Sequence, residues 1–233
     1  HVIFHAPCSQ TADMMVGIEE VLQKEKPDCL VVYGDTNSTL AGAIAASKIH
    51  IPVVHIEAGL RSFNKEMPEE INRITCDHVS TLLFSPTKTG FDNLLREGFK
   101  DLSKESNPVC DMDHPQIFHC GDVMYDNSFH FSEIAESRSK ILEQHALQKD
   151  NYALVTIHRN NNTDDPKRLS GILSALLEIA NENELDMILP LHPRTKKVIF
   201  QNADNPIYKA VMESPKIKIT EPISFLDIIQ LEK

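Results

Sequence analysis

The 233-residue sequence contains no C-x-x-C pair and no cluster of basic residues. No apolar run in it approaches the ~20 residues needed to span a membrane. Its five cysteines, Cys8, Cys29, Cys76, Cys110 and Cys120, are odd in number and irregularly spaced. That pattern excludes a disulfide framework and gives no zinc site, so the reading is metal-free, with reduced thiols in a cytoplasmic protein. No secretory leader is visible. A net charge of −11 without a basic run excludes nucleic acid as a partner. A phosphate-bearing ligand stays open, because local arginines and helix N-termini can hold one within an acidic chain. Also absent are G-x-G-x-x-G, the Walker A loop, H-E-x-x-H and G-x-S-x-G. Their absence argues against a dinucleotide enzyme, a P-loop NTPase, a zincin and a serine hydrolase. Repeats and low-complexity tracts are missing too.

What is present is an alternation of apolar runs and helix-like stretches, with 41% hydrophobic residues to build a core. The runs at 28–33, 51–57, 81–85 and 116–120 predict four strands, with helices between them up to Ser47, from Pro68 to Val79, and over 86–98. Residues 101–115 read as a polar surface loop. Around 122–150 the pattern turns helical, and strands resume at 152–158, 188–192 and 216–220. Asp165 and Pro166 open a helix whose Leu169, Ile172, Leu173, Leu176 and Ala180 share one face. Such alternation predicts an α/β protein of parallel sheets covered on both faces. Two units are expected, residues 1–122 and 123–233. The first residue is His1, and the closing SFLDIIQLEK reads as a helix still in progress, so the expectation is a fragment.

In open α/β sheets, ligands bind beyond the carboxyl ends of strands. Asp35 follows the first strand, as an acid that either caps the next helix or does chemistry. Glu57 ends the second strand, where an unpaired carboxylate is costly, and Arg61 four residues on is a candidate partner. Glu69 and Arg73 share a helix face, and Asp77 continues the stripe. That stripe is either an exposed salt bridge or part of the site. His158, with Arg159 after it, and His192, with Arg194 nearby, end successive strands of the second unit and are phosphate-binding candidates. Acids in the first unit and cations in the second would suit a ligand with a neutral reacting end and an anionic diphosphate.

Taken together, GDTNST, HIEAGLRS, MPEEINR, SPTKTGFDNLLREG and TIHRN resemble the non-hydrolysing UDP-N-acetylglucosamine 2-epimerases in order and spacing, over essentially the whole chain. The resemblance implies a GT-B fold of two Rossmann-like domains with the active site between them. It places Asp35, Glu57 and Glu69 on the family's catalytic carboxylates, Arg73 on its active-site arginine, and His158 on the histidine that supports the diphosphate. It implies reversible conversion of UDP-GlcNAc to UDP-ManNAc for surface polysaccharide synthesis in bacteria and archaea, with no redox cofactor. It further implies a homodimer, and UDP-GlcNAc as an activator at a second site to which Arg159 and His192 contribute. Asn161 stands where the family usually has an acid, which bears on that second site. Thr36 and Ala58-Gly59 depart from the hydrolysing epimerases, which usually carry Arg and Gly-Gly there. The family's N-terminal strand and phosphate-binding loop, and its C-terminal uridine-holding segment, are expected to be missing from such a fragment. The alternatives are therefore a catalytically silent fragment, or an epimerase of a related UDP-diacetamido sugar.

Overall fold

The computed structural model describes residues 7–102, 109–157, 160–202 and 204–233. The chain divides into two compact units, His1–Met124 and Tyr125–Lys233. Unit one runs α1 (Pro7–Glu25), β1 (Leu30–Tyr33), α2 (Asn37–Lys48), β2 (Val53–Ile56), α3 (Pro68–Val79), β3 (Leu82–Ser85), α4 (Lys88–Arg96) and β4 (Gln116–His119). Its sheet is parallel in the order β1-β2-β3-β4, so each strand pairs with the next in sequence. The register Tyr33↔Ile56 brings the ends of β1 and β2 side by side.

Helix α2 is made of small residues and buries Ala41, Gly42, Ala43, Ala45 and Ala46, which lets it lie close to its neighbours. Val32 and Val53 join Leu22 of α1, Ala43, Ala45, Ala46 and Cys76 of α3 in one core cluster. The loop after β2 runs hard against α4. A Cβ on Gly59 would lie 2.3 Å from the Gly90 carbonyl oxygen, and Gly59 has φ +80°, so only glycine fits there.

Of the Glu69, Arg73 and Asp77 stripe on α3, Glu69 is exposed and Asp77 is buried, and Glu70, Asn72 and Cys76 are buried with Asp77. Each buried polar group must then find partners. Glu70, 3% exposed, accepts from Ser62 N at 2.7 Å, Ser62 Oγ at 2.9 Å and Phe63 N at 3.0 Å. It thereby anchors the stretch that leads from β2 to α3.

Unit two runs α5 (Val123–Arg138), which straddles the division, α6 (Ile141–Gln144), β5 (Tyr152–Leu154), α7 (Asn160–Thr163), α8 (Pro166–Glu182), β6 (Asp186–Pro190), α9 (Pro193–Gln201), α10 (Pro206–Glu213), β7 (Ile217–Thr220) and α11 (Phe225–Glu232). Its sheet is parallel in the order β5-β6-β7. Asp165 caps α8 as expected, accepting from the amides of Lys167 and Arg168. Along β6, Met187 and Leu189 enter one core cluster and Ile188 the other, so both faces of the strand are covered.

The expected strands are all present; six are shorter than expected and β6 is shifted by two residues. The strand expected over 152–158 ends at Leu154, with one further ladder bond from Val155 N to Ile188 O at 2.9 Å. β6 begins at Asp186 and ends at Pro190, two residues before His192. Helices α1 and α10 were not expected from the sequence.

Two measurements test this arrangement. Burial pushes the Cys76 thiol up to about 12, and only the thiolate alkylates readily. The native protein should therefore react with iodoacetamide at the exposed Cys8, Cys29, Cys110 and Cys120, and at Cys76 only on unfolding. Rapid labelling of all five would contradict the packing of α3. For Glu70, burial opposes the charge, but the Ser62 and Phe63 donors outweigh it and hold the carboxyl below its ordinary value. A depressed carboxyl stabilises the fold above the unfolded carboxylate range and loses that contribution as pH falls through the folded value. Glu70→Gln should cost about 1–3 kcal/mol by urea unfolding at pH 7, with the gap to wild type closing below about pH 4. A gap independent of pH would count against the anchor.

Candidate active site

Asp35 and Glu57 leave the ends of adjacent parallel strands, and the last ladder bond, Gly34 N to Ile56 O at 3.0 Å, joins the residues just before them. Asp35 does not cap α2. The cap is Thr36, whose side chain accepts from Thr39 N, so the Asp35 carboxylate is left for other partners. That partner is Arg73 of α3. Its Nη1 lies 2.9 Å from Asp35 Oδ2 and its Nη2 lies 3.3 Å from Glu57 Oε2. One guanidinium thus grips both carboxylates, which are 27% and 29% exposed while Arg73 is only 13% exposed. The shared cation offsets the repulsion between two like charges held close together.

Glu69 is exposed in the first turn of α3, one turn ahead of Arg73 on the same side. No ion pair joins them among the described residues, because the guanidinium is committed to Asp35 and Glu57. Asn72 adds a second hold, donating through Nδ2 to the Asp35 carbonyl at 2.8 Å and to Asn37 Oδ1 at 3.1 Å. Glu57 itself has φ +72°, a left-handed conformation unusual outside glycine. Such a residue costs on the order of 1–3 kcal/mol and persists where its surroundings hold it.

Arg61 is not the partner of Glu57. Its side chain is 1% exposed and lies 2.7 Å from Asp77 Oδ2, with Nε donating to Glu97 Oε1 at 2.7 Å and Nη2 to Glu97 Oε2 at 2.6 Å. The turn at Gly59 carries it toward the end of α4 instead. Burial works against the Arg61 charge, yet Glu97 and Asp77 outweigh that and raise it above the ordinary arginine value. Asp77, fully buried, also accepts from Gly59 N at 3.0 Å and from His55 Nδ1 at 2.7 Å. The other nitrogen of His55, Nε2, donates to the Gly34 carbonyl at 2.8 Å.

Spacing along the sequence does not mark His55, Glu70 and Asn72, and it sets Asp77 on the Glu69 and Arg73 stripe rather than in the core. A signal existed for His55. A histidine inside the otherwise apolar run VVHI has to be satisfied by something buried.

In the second unit His192 is exposed and caps α9, its Nδ1 accepting from Arg194 N at 3.3 Å. Arg194 pairs with Asp164 at 2.8 Å. His158 and Arg159 lie outside the described residues. No group of three or more His, Cys, Asp or Glu able to hold a metal occurs among the described residues, and no described helix is long and apolar enough to cross a membrane.

Comparison with known proteins gives this geometry its setting. The family model described as UDP-N-acetylglucosamine 2-epimerase matches residues 5–233. A UDP-N-acetylglucosamine 2-epimerase homolog of Methanococcus maripaludis is 42% identical over 96% of the chain and 57% of its own length. The UDP-2,3-diacetamido-2,3-dideoxy-D-glucuronate 2-epimerase of Pseudomonas aeruginosa is 45% identical over 95% of the chain and 55% of its own. A solved structure of the Methanocaldococcus jannaschii UDP-GlcNAc 2-epimerase, in complex with UDP-GlcNAc and UDP, superposes with TM-score 0.78 at 40% identity, covering 98% of the chain and 59% of that structure. The chain thus spans about half the length of the curated relatives it matches. Its parallel α/β sheets are those of the family's GT-B-like fold. On a family match over nearly every residue and relatives above 40% identity, the chain belongs to the UDP-N-acetylglucosamine 2-epimerase family, whose members are isomerases.

Proposed function

We propose that the full-length protein interconverts UDP-GlcNAc and UDP-ManNAc at C2, supplying precursors for surface polysaccharide. The observation that carries this is the pair of carboxylates, Asp35 and Glu57, ending neighbouring strands and held by one arginine, Arg73. C2 of the sugar has no adjacent carbonyl, so its proton is not acidic enough for direct removal. Elimination avoids a free carbanion. A carboxylate takes the C2 proton, the C1–O bond breaks, and UDP leaves with the bonding pair to give a glycal. A second carboxylic acid returns a proton to the opposite face of C2 as a diphosphate oxygen re-adds to C1. Asp35, Glu57 and Glu69 are the acids and bases of this scheme, which needs carboxylates on C2 and cations on the departing diphosphate. His158 supports that diphosphate. Arg73 binds substrate and keeps the carboxylates aligned, while Arg159 and His192 contact a second, activating UDP-GlcNAc. The working form is a homodimer.

A second substrate, a UDP-diacetamido uronic acid, is favoured by the 45% identity to the Pseudomonas aeruginosa enzyme. The chemistry at C2 is unchanged by that choice.

Full-length protein incubated with UDP-GlcNAc in deuterated water should place deuterium at C2 and form UDP-ManNAc. Asp35→Asn and Glu57→Gln should each lower turnover by about 10²- to 10⁴-fold. Exchange with the diacetamido uronate and none with UDP-GlcNAc would select the second substrate. Exchange with neither would overturn the epimerase reading.

A further inference from the structure

We propose that His55 and Asp77 are positioning residues for the C2 chemistry, an inference that rests on the epimerase reading above. Neither touches Asp35 or Glu57, and both side chains are fully buried, so substrate cannot reach them. What they touch is the backbone on either side of those carboxylates. His55 Nε2 donates to the carbonyl of Gly34, the residue before Asp35. Asp77 Oδ2 accepts from the amide of Gly59, two residues after Glu57. The Nδ1–Oδ1 contact at 2.7 Å joins the two holds into one unit.

The backbone held this way is the part of the site that would relax. Gly34, Glu57 and Gly59 all have left-handed φ, at +66°, +72° and +80°. Cutting either tie lets a carboxylate drift while the sheet beneath it stays intact. The same helix carries Arg73 one turn before Asp77, so α3 sets the guanidinium and the loop backbone together. A displacement of about 1 Å at a reacting group can cost about 10²-fold in rate.

A merely structural ion cluster would behave differently, and Glu97 shows how. It pairs with Arg61 in the same cluster but touches neither Gly34 nor Gly59.

The test uses full-length protein, with kcat and KM from C2 deuterium incorporation, UDP affinity by calorimetry, and the urea midpoint as readouts. Asp77→Asn should lower kcat by about 30-fold or more while UDP affinity stays within about threefold. Glu97→Gln should lower the urea midpoint yet keep kcat within about threefold. A glutamine amide reaches about where Nε2 lies, and an asparagine amide only about where Nδ1 lies. His55→Gln, which keeps the donor to Gly34, should therefore retain more kcat than His55→Asn. Asp77→Asn within about threefold of wild-type kcat, or Glu97→Gln falling as far as Asp77→Asn, would overturn the proposal. If Asp77→Asn does not fold, the order of the two His55 variants decides, and the reverse order overturns it. Loss of folded protein in all three would assign the cluster to stability and overturn it as well. A wild-type protein that exchanges no deuterium would instead refute the epimerase reading itself.

Discussion

The Asp77 carboxylate sits in unit one without access to water, and everything around it is arranged to make that tolerable. A buried carboxylate left unpaired costs several kcal/mol, so each of its oxygens has to be met by donors. One oxygen takes His55 Nδ1, and the other takes the Gly59 amide and the Arg61 guanidinium. These demands fix the neighbours in turn. Arg61 needs a second anion and finds Glu97, while His55 needs an acceptor at Nε2 and finds the Gly34 carbonyl. The β2–α3 loop can meet the carboxylate only by turning at a left-handed glycine packed against Gly90.

Helix α3 is the means by which this constraint spreads. Ordinary surface helices bury apolar residues on one stripe. This one buries Glu70, Asn72 and Asp77 beside Cys76 and spends its polar side chains on loop backbone. Glu70 holds Ser62 and Phe63, Asn72 holds the Asp35 carbonyl, and Arg73 holds the carboxylates themselves. The site carboxylates stand on short loops but are fixed by a rigid element, as precise acid–base geometry requires. Close approach of α3 to α2 depends in turn on the alanines of α2.

The sheets were legible in the sequence because buried parallel strands read as continuous apolar runs, and DCLVVY, IPVVHIE, TLLFS and QIFHC are such runs. Strand ends were less legible. The apolar pattern runs on through Val155 and Ile157 as core packing although the strand ends at Leu154 and its last ladder bond is from Val155 N. Helix α1 shows no clean stripe, because only Ile18 and Leu22 enter the core cluster while Val16 and Val21 beside them stay exposed. Position after a strand, or spacing along a helix, flags Asp35, Glu57 and Arg73 as candidates, and only the family resemblance separates them from caps and surface salt bridges. Asp77, Glu70 and Asn72 were hidden for the opposite reason. Asp77 follows Glu69 and Arg73 at spacings of four, which looks like a solvated stripe, and only tertiary packing turns it and the polar Glu70 and Asn72 inward. Arg61 was matched to the wrong carboxylate because sequence distance cannot show the turn at Gly59.

Buried carboxylates of α3, rather than secondary structure, hold the loop behind Glu57. Amide hydrogen exchange measures this directly at Gly59, Ser62 and Phe63, which lie outside any helix or strand and donate to Asp77 and Glu70. All three amides should be protected to an extent comparable with that of Ala58, whose amide pairs with the Phe84 carbonyl at the sheet. Exchange at these amides as fast as in an open loop, with Ala58 still protected, would contradict this role of α3.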